Sequence, residues 1–363
     1  MKILLNYRPV LRQPTGIGVY AHAVLPALQK LPHVLLPGGE EGTARQRLNR
    51  LAWTQFELPR LARRHNASLI FTPAPEGYLG QQSIPQVVMV HDLRPLSHPE
   101  RSLQSLYFRS WVPPLLRRCR HLLTNSRFTA LEIQRGTGVP EERISVIPLG
   151  YDAAVFRPAL TGQVGAGKSD AECGTAASAR PSPRPYLLHV GQAYPHKNLE
   201  RLIRAFARVA PLHPDLRLVL AGKPHPTETP RLRALVDHLG LQRSVQFRAY
   251  VPYADLPDLY RGALALVYPS LWEGFGLPVL EAMACGTPVI TSFGSGTEEV
   301  AGEAALLVDP ADSGSISDAI ALVARDPARR STLRELGLAR AGQFSWSAAA
   351  ADTAQRLGGL LAG

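Results

Sequence analysis

Tyr268-Pro269-Ser270-Leu271-Trp272-Glu273-Gly274-Phe275-Gly276-Leu277-Pro278-Val279-Leu280-Glu281-Ala282-Met283-Ala284-Cys285-Gly286 is the stretch that decides the fold. An apolar run over 263–268 reads as a buried strand and ends at Tyr268. A glycine-bearing loop follows. Pro278 then stands in the first turn of a helix, where a missing N–H costs nothing, and Gly286 stops that helix. Strand, glycine loop and helix in this order form the repeating unit of a parallel sheet with crossover helices. The N–H groups near Gly276 and Leu277 point out of the helix start and suit an anion such as a diphosphate. Gly274 and Gly276, on either side of Phe275, let main chain approach a ligand closely.

Two carboxylates flank the turn. Glu281 lies one turn into the helix, and a carboxylate is a bidentate acceptor for a vicinal diol such as a ribose. Glu273 precedes the helix, on the other side of the glycine loop from Glu281. The plain alternative is that Glu281 caps helix N–H groups and Glu273 is solvated, as most charges are. Two glutamates around a glycine-rich helix start after a strand favour the binding reading, because several levels of pattern agree.

Outward from this segment, β and α patterns alternate along the whole chain. Strands are expected at 2–6, 68–71, 86–90, 121–124 and 144–147, and again at 186–190, 217–221, 245–248, 263–268, 288–291 and 305–308. Helices are expected near 17–30, 45–65, 100–119 and 126–135, then near 198–211, 230–240, 255–261, 278–285 and 315–325. Residues 161–183 are rich in Gly, Ala, Ser and Pro without hydrophobic period and read as a flexible linker. Gly162 to Ser169 matches G-x4-G-K-S, but no strand precedes it and no helix follows, so it reads as linker rather than phosphate loop. The expected domains are 1–160, 184–344, and a helix over 345–363 returning to the first half. The fold class is α/β with two Rossmann-like domains facing across a cleft, ligands lying at the carboxyl ends of strands.

With 363 residues, 45% of them apolar and 19% charged, the chain is long enough for two globular cores. No apolar run reaches the ~18 residues a membrane span needs. Lys2 and Asn6 bracket too short an apolar run for a secretion signal, so a cytoplasmic setting is expected. Three scattered cysteines make neither a metal pattern nor a disulfide framework. The net charge of +11 is lopsided: residues 1–157 hold 20 Lys/Arg and 10 Asp/Glu, residues 158–363 hold 20 and 19. The first half therefore carries nearly all the excess and should be drawn to something anionic. Arginines interleave with aromatics over 44–64 and 101–120, a composition that suits the anionic inner face of a membrane, although Pro113-Pro114 interrupts the second stretch. A basic nucleic-acid-binding protein is the rival from another class. No recognition motif or aromatic strip on a strand supports it, and no nucleic-acid partner is expected.

The spacing Glu273-x7-Glu281 around Gly-Phe-Gly-Leu-Pro resembles the E-x7-E motif of glycosyltransferase family 4, the large retaining group with the GT-B fold. The continuation through Thr287-Pro288-Val289-Ile290, and Glu298-Glu299-Val300-Ala301-Gly302 before Ala305 to Pro310, is similar to the same family. The wording is closest to bacterial mannosyl- and rhamnosyltransferases of surface-polysaccharide synthesis. The resemblance implies transfer of a hexose, such as mannose, from a nucleotide-sugar donor to a glycan or lipid-linked glycan acceptor. It implies that Glu273 binds sugar hydroxyls. It implies that Lys197, after the strand ending at Val190, neutralises the donor diphosphate. It implies that His91, after the strand 86–90, contacts the donor sugar, and that Gly16 and Gly18 form the first loop against donor phosphates and acceptor. His91, Lys197 and Glu273 are thus the catalytic candidates; Gly16, Gly18, Gly274, Phe275, Gly276, Leu277 and Glu281 are the donor-binding ones. Many relatives carry an arginine shortly before the lysine; here Gly191 and Gln192 occupy that region. Asn198 reads as the N-cap of the following helix and Ser126 as that of the helix after 121–124; Asp92 either orients His91 or caps the next turn, and Arg127 is a weaker phosphate or acceptor candidate. No Asp-x-Asp pair and no His/Cys cluster appears, so neither metal nor further cofactor is expected beside the donor. A GT-B epimerase or phosphorylase is the alternative within the fold.

Overall fold

The computed structural model describes residues 1–10, 16–38, 44–80, 84–97, 103–159 and 184–362. The segment read as linker, 161–183, with its glycine-lysine-serine spacing, lies outside the described residues, as does Thr15. The chain groups into two compact units, residues 1–150 with 344–363 and residues 151–343. Each is built on a six-stranded sheet in which every pairing is parallel. This is the α/β class that the strand-helix alternation implies.

In the first unit the strands are β1 Ile3–Asn6, β2 His33–Leu36, β3 Leu69–Thr72, β4 Gln86–Val90, β5 His121–Thr124 and β6 Ile144–Val146. Their order is β2-β1-β3-β4-β5-β6, so the direction of winding reverses between β1 and β3. The Asn6 amide bridges these two strand ends by donating to Thr72 Oγ1 at 3.3 Å. The C-terminal helix Trp346–Ala362 belongs to this unit and packs on helix Gly16–Leu28, with the Tyr20 and Thr353 hydroxyls 3.2 Å apart.

In the second unit the strands are β7 Tyr186–Val190, β8 Arg217–Ala221, β9 Val245–Arg248, β10 Ala265–Tyr268, β11 Val289–Ser292 and β12 Leu306–Val308. The order is β12-β11-β10-β7-β8-β9. The chain winds outward from β7, returns beside it as β10, and winds out the other way. In such sheets the loops after the two strands at the reversal part to opposite faces and leave a crevice for a ligand. A parallel strand covered on both faces must be almost wholly apolar, and β10 satisfies this with all four residues at most 1% exposed. Helix Leu199–Val209 presents Leu199, Leu202, Ile203, Phe206 and Val209, a 3.6-residue stripe, to Leu187, Leu218 and Leu220. Each such side chain contributes roughly 1.5–3 kcal/mol on burial, which fixes the strand ends that carry the site.

The expected helix over 100–119 is two: Leu103–Ser110 and Val112–Arg118, the second starting at the point where Pro113 and Pro114 fit a first turn. Strand β2 and helices Gly296–Ala301 and Pro327–Ala341 were not expected from the pattern. Among the described residues no helix is long and apolar enough to cross a membrane.

Candidate active site

Lys197 and Glu273 are brought together at the β7/β10 reversal. Lys197 closes a short 3-10 turn after β7, and its ammonium donates to Glu273 Oε1 at 2.5 Å and to the Tyr268 hydroxyl at 2.5 Å. Both side chains of the ion pair are largely buried, 14% and 13% exposed. Burial alone would depress the lysine; Glu273 and then Tyr268 outweigh it and hold the ammonium protonated well above its usual range. Glu273 is therefore not a solvated surface carboxylate. Beneath them, the His189 ring stacks on Tyr268 with centroids 5.1 Å apart and planes 12° apart. His189 Nδ1 lies 3.1 Å from the Val267 carbonyl, which only accepts, so this nitrogen carries the proton. Burial pushes His189 down to about 4, leaving it neutral, and its Nε2 has no hydrogen-bond partner.

Three loops are stitched to hold this geometry. The Leu271 N–H donates to the His196 carbonyl at 2.8 Å. Asn198 Nδ2 donates to the carbonyls of Pro269 (3.0 Å) and Pro310 (2.7 Å), joining the loops after β7, β10 and β12. Asn198 does precede helix Leu199–Val209, but it adopts a left-handed conformation (φ 61°) and makes no side-chain cap. Its amide nitrogen is used between loops, and its oxygen accepts from Arg201 Nη1 at 3.0 Å and not from helix main chain, which corrects the N-cap expectation.

Helix Leu277–Ala284 begins at Gly276 with φ 106°, a conformation that L side chains rarely adopt, and a Cβ there would also lie 2.6 Å from Thr297 Cγ2. Leu277 is half-buried, while Gly274 and Phe275 are buried. By helix geometry the N–H groups of Gly276 and Leu277 have no partner inside the helix, and Pro278 brings none. Glu281 Oε2 accepts from the Tyr260 hydroxyl at 2.9 Å. It neither caps main chain nor floats in solvent. Burial raises its carboxyl to about 7, against the lowering effect of the Tyr260 bond. Sequence reading missed Gly296: its N–H donates to the Glu273 carbonyl at 2.9 Å, and a Cβ on it would stand 2.3 Å from the Gly274 oxygen. It missed Tyr260, Tyr268 and His189 as well, since an aromatic residue in an apolar strand or helix reads as core.

In the first unit His91 directly follows β4. Its Nε2 donates to the Pro73 carbonyl at 3.1 Å, and its ring meets Tyr20 edge to face at 5.1 Å. Burial drives it down to about 4. It is neutral at physiological pH, with Nδ1 as an acceptor. Asp92 Oδ1 accepts from the Arg94 N–H at 3.2 Å, so it serves the following turn. Ser126 caps helix Arg127–Thr137 through the Thr129 N–H at 3.0 Å, and Arg127 opens that helix. Gly16 is the exposed first residue of helix Gly16–Leu28, and Gly18 is buried within it. Among the described residues no group of three or more His, Cys, Asp or Glu is placed to hold a metal ion.

A family model described as glycosyl transferases group 1 matches residues 175–339, and one described as glycosyltransferase family 4 matches residues 14–155. O-antigen chain mannosyltransferase B of Escherichia coli is 33% identical over 279 residues, covering 75% of this chain and 70% of that protein. O-antigen chain mannosyltransferase RfbU of Salmonella typhimurium is 34% identical over 235 residues, covering 65% and 60%. Sucrose-phosphate synthase from Thermosynechococcus elongatus superposes with a TM-score of 0.77 at 22% identity, covering 100% of this chain and 99% of that one. Anabaena Alr3699/HepE, solved in complex with UDP-glucose, gives 0.75 at 20% identity, covering 99% and 100%. The two sheets, the two matched domains and these relatives agree: the chain is an enzyme of the glycosyltransferase family whose models are group 1 and family 4, and it has the GT-B fold.

Proposed function

We propose that the enzyme transfers a hexose, mannose or a similar sugar, from a nucleoside-diphosphate sugar to a glycan or lipid-linked glycan acceptor with retention of anomeric configuration. The carrying observation is the Lys197–Glu273 pair at the β7/β10 reversal, beside the start of helix Leu277–Ala284, where no side chain caps the helix. In this reading Lys197 and the N–H groups of Gly276 and Leu277 take the diphosphate, Glu281 accepts from the ribose hydroxyls, and Glu273 accepts from the sugar. Lys197 stabilises the leaving nucleotide as charge develops on it, in an environment where a cation acts strongly. His91, neutral, offers an acceptor to a sugar hydroxyl and adds no charge. With lysine and helix start in that role, neither metal nor further cofactor is required, and a chelator leaves turnover unchanged. The names of the curated relatives, O-antigen chain mannosyltransferases, support mannose and a polysaccharide acceptor.

Glu273 is engaged with Lys197 rather than standing free as a nucleophile. The mechanism is same-face attack by the acceptor hydroxyl, with the leaving phosphate oxygen taking its proton. Product stereochemistry read by NMR checks this: an anomeric configuration inverted relative to the donor refutes it. A thermal-shift screen of nucleoside diphosphates and nucleotide sugars identifies the donor, since a ligand at 100 times its Kd stabilises by about 2.7 kcal/mol. The arginine-rich first unit is assigned to an anionic membrane face on the cytoplasmic side, where the lipid-linked acceptor is held.

A further inference from the structure

Two groups hold the Lys197 ammonium, and they differ in kind. Glu273 is charged and sits in a loop. Tyr268 is neutral and is the last residue of β10, 1% exposed. The phenol oxygen accepts from the ammonium at 2.5 Å, so the hydroxyl at the rim of the ring holds the cation. The ring has no room to turn, because His189 is stacked against it and is itself pinned to the Val267 carbonyl of the same strand.

We propose that Tyr268, backed by His189, is a positioning residue that keeps the Lys197 ammonium in the β7/β10 crevice when Glu273 turns to the donor sugar. This rests on the reading that Lys197 meets the donor diphosphate. A neutral acceptor is suited to the task. A second carboxylate would hold the lysine as firmly but would cancel the charge that the phosphates need. A phenol fixes the direction of the ammonium and leaves its charge available, and its place on a central strand makes it indifferent to loop movement.

The test is a double-mutant cycle on the full chain, read by calorimetric titration with GDP-mannose and, in parallel, UDP-glucose; whichever binds is compared with its own nucleoside. Tyr268→Phe keeps the ring and removes the hydroxyl. Loss of a hydrogen bond to a charged group predicts a nucleotide-sugar affinity weaker by roughly tenfold or more, with nucleoside affinity unchanged. In a Lys197→Met background the same substitution causes no further loss, because contacting residues couple. Equal losses in both backgrounds, or equal losses for nucleotide sugar and nucleoside, make Tyr268 a packing residue only and overturn the proposal. A Lys197→Met protein that binds the nucleotide sugar like the wild type overturns the underlying reading of Lys197, and the proposal with it. Because Lys197→Met leaves Glu273 buried and unpaired, the cycle is repeated in a Glu273→Gln background, where that source of misfolding is absent.

Discussion

Glu281→Gln should leave the donor-free protein more stable above neutral pH and, at the same time, unable to sense pH in donor binding. Burial raises Glu281 from its usual 4.5 to about 7. A carboxyl whose folded pKa is raised contributes most to stability below the unfolded value, near 4.5, and that contribution is lost as pH climbs through 7. The shift corresponds to about 3 kcal/mol of destabilisation by pH 8, an upper figure since it counts one group alone. Glutamine cannot ionise, so the variant avoids the loss: its Tm should match the wild type near pH 5 and exceed it near pH 8. Donor binding runs the other way. A ribose diol needs the carboxylate, so below pH 7 the wild type must first release a proton, and affinity falls by up to tenfold per pH unit, ~100-fold at pH 5. The assay is calorimetric titration from pH 5 to 8.5 with GDP-mannose and UDP-glucose. Intact nucleotide sugars are used because the terminal phosphate of a free nucleotide titrates near pH 6 and would imitate the effect. Tyr260→Phe removes the bond that lowers Glu281 and should move the midpoint upward. A wild-type affinity that is flat with pH, or a slope that survives in Glu281→Gln, refutes the assignment of Glu281 to the ribose.

Gly296→Ala places a methyl 2.3 Å from the Gly274 oxygen and forces the Glu273–Gly274 main chain to move; a Tm drop equivalent to about 1–3 kcal/mol and a fall in turnover are expected, typical of overpacking. Asn198→Ala unties the buried amide from the Pro269 and Pro310 carbonyls, and chemical denaturation should show a loss of roughly 1–3 kcal/mol, with faster hydrogen exchange in the loops after β7 and β10. In the arginine-rich first unit, Phe56 and Leu106 are 65% and 61% exposed on helices Ala44–Arg64 and Leu103–Ser110. Vesicles containing anionic lipid should pull the protein down and salt should release it, each cation near the surface contributing ~1 kcal/mol; equal recovery with neutral vesicles counts against a membrane face.

The parts of the fold legible in the sequence were those governed by burial on both faces. β10 is an unbroken apolar run, and β7 and β8 depart from one only at His189 and Arg217, because helices cover them above and below. β2 escaped notice because it is an edge strand, half-buried at all four residues, where the apolar demand is weak. Helix Pro327–Ala341 is mostly solvent-facing and shows little stripe, yet Asp326 followed by Pro327 was a readable start signal: the aspartate does cap the Arg329 N–H at 2.8 Å. At the site, glutamates and glycines were visible by spacing within one turn. The Tyr268–Lys197 and Asn198–Pro269 contacts each join residues 71 apart. No local pattern encodes such contacts; only the order in which strands lie side by side creates them. For the same reason Asn198 looked like a cap: adjacency along the chain was the one relation the sequence displayed.

The Lys197–Glu273 bond gives the crevice its own counter-ion, so under the proposed roles a ligand enters by exchange and not by simple addition. An anion that takes the lysine strands a glutamate at a site only 13% open to water. A nucleotide sugar offers the hydroxyls of its transferred sugar in compensation; inorganic phosphate and the nucleotide left after transfer have no such sugar to place there. The pair therefore re-forms once the sugar has gone, and product expulsion and rejection of cellular phosphate follow from a single bond snapping back.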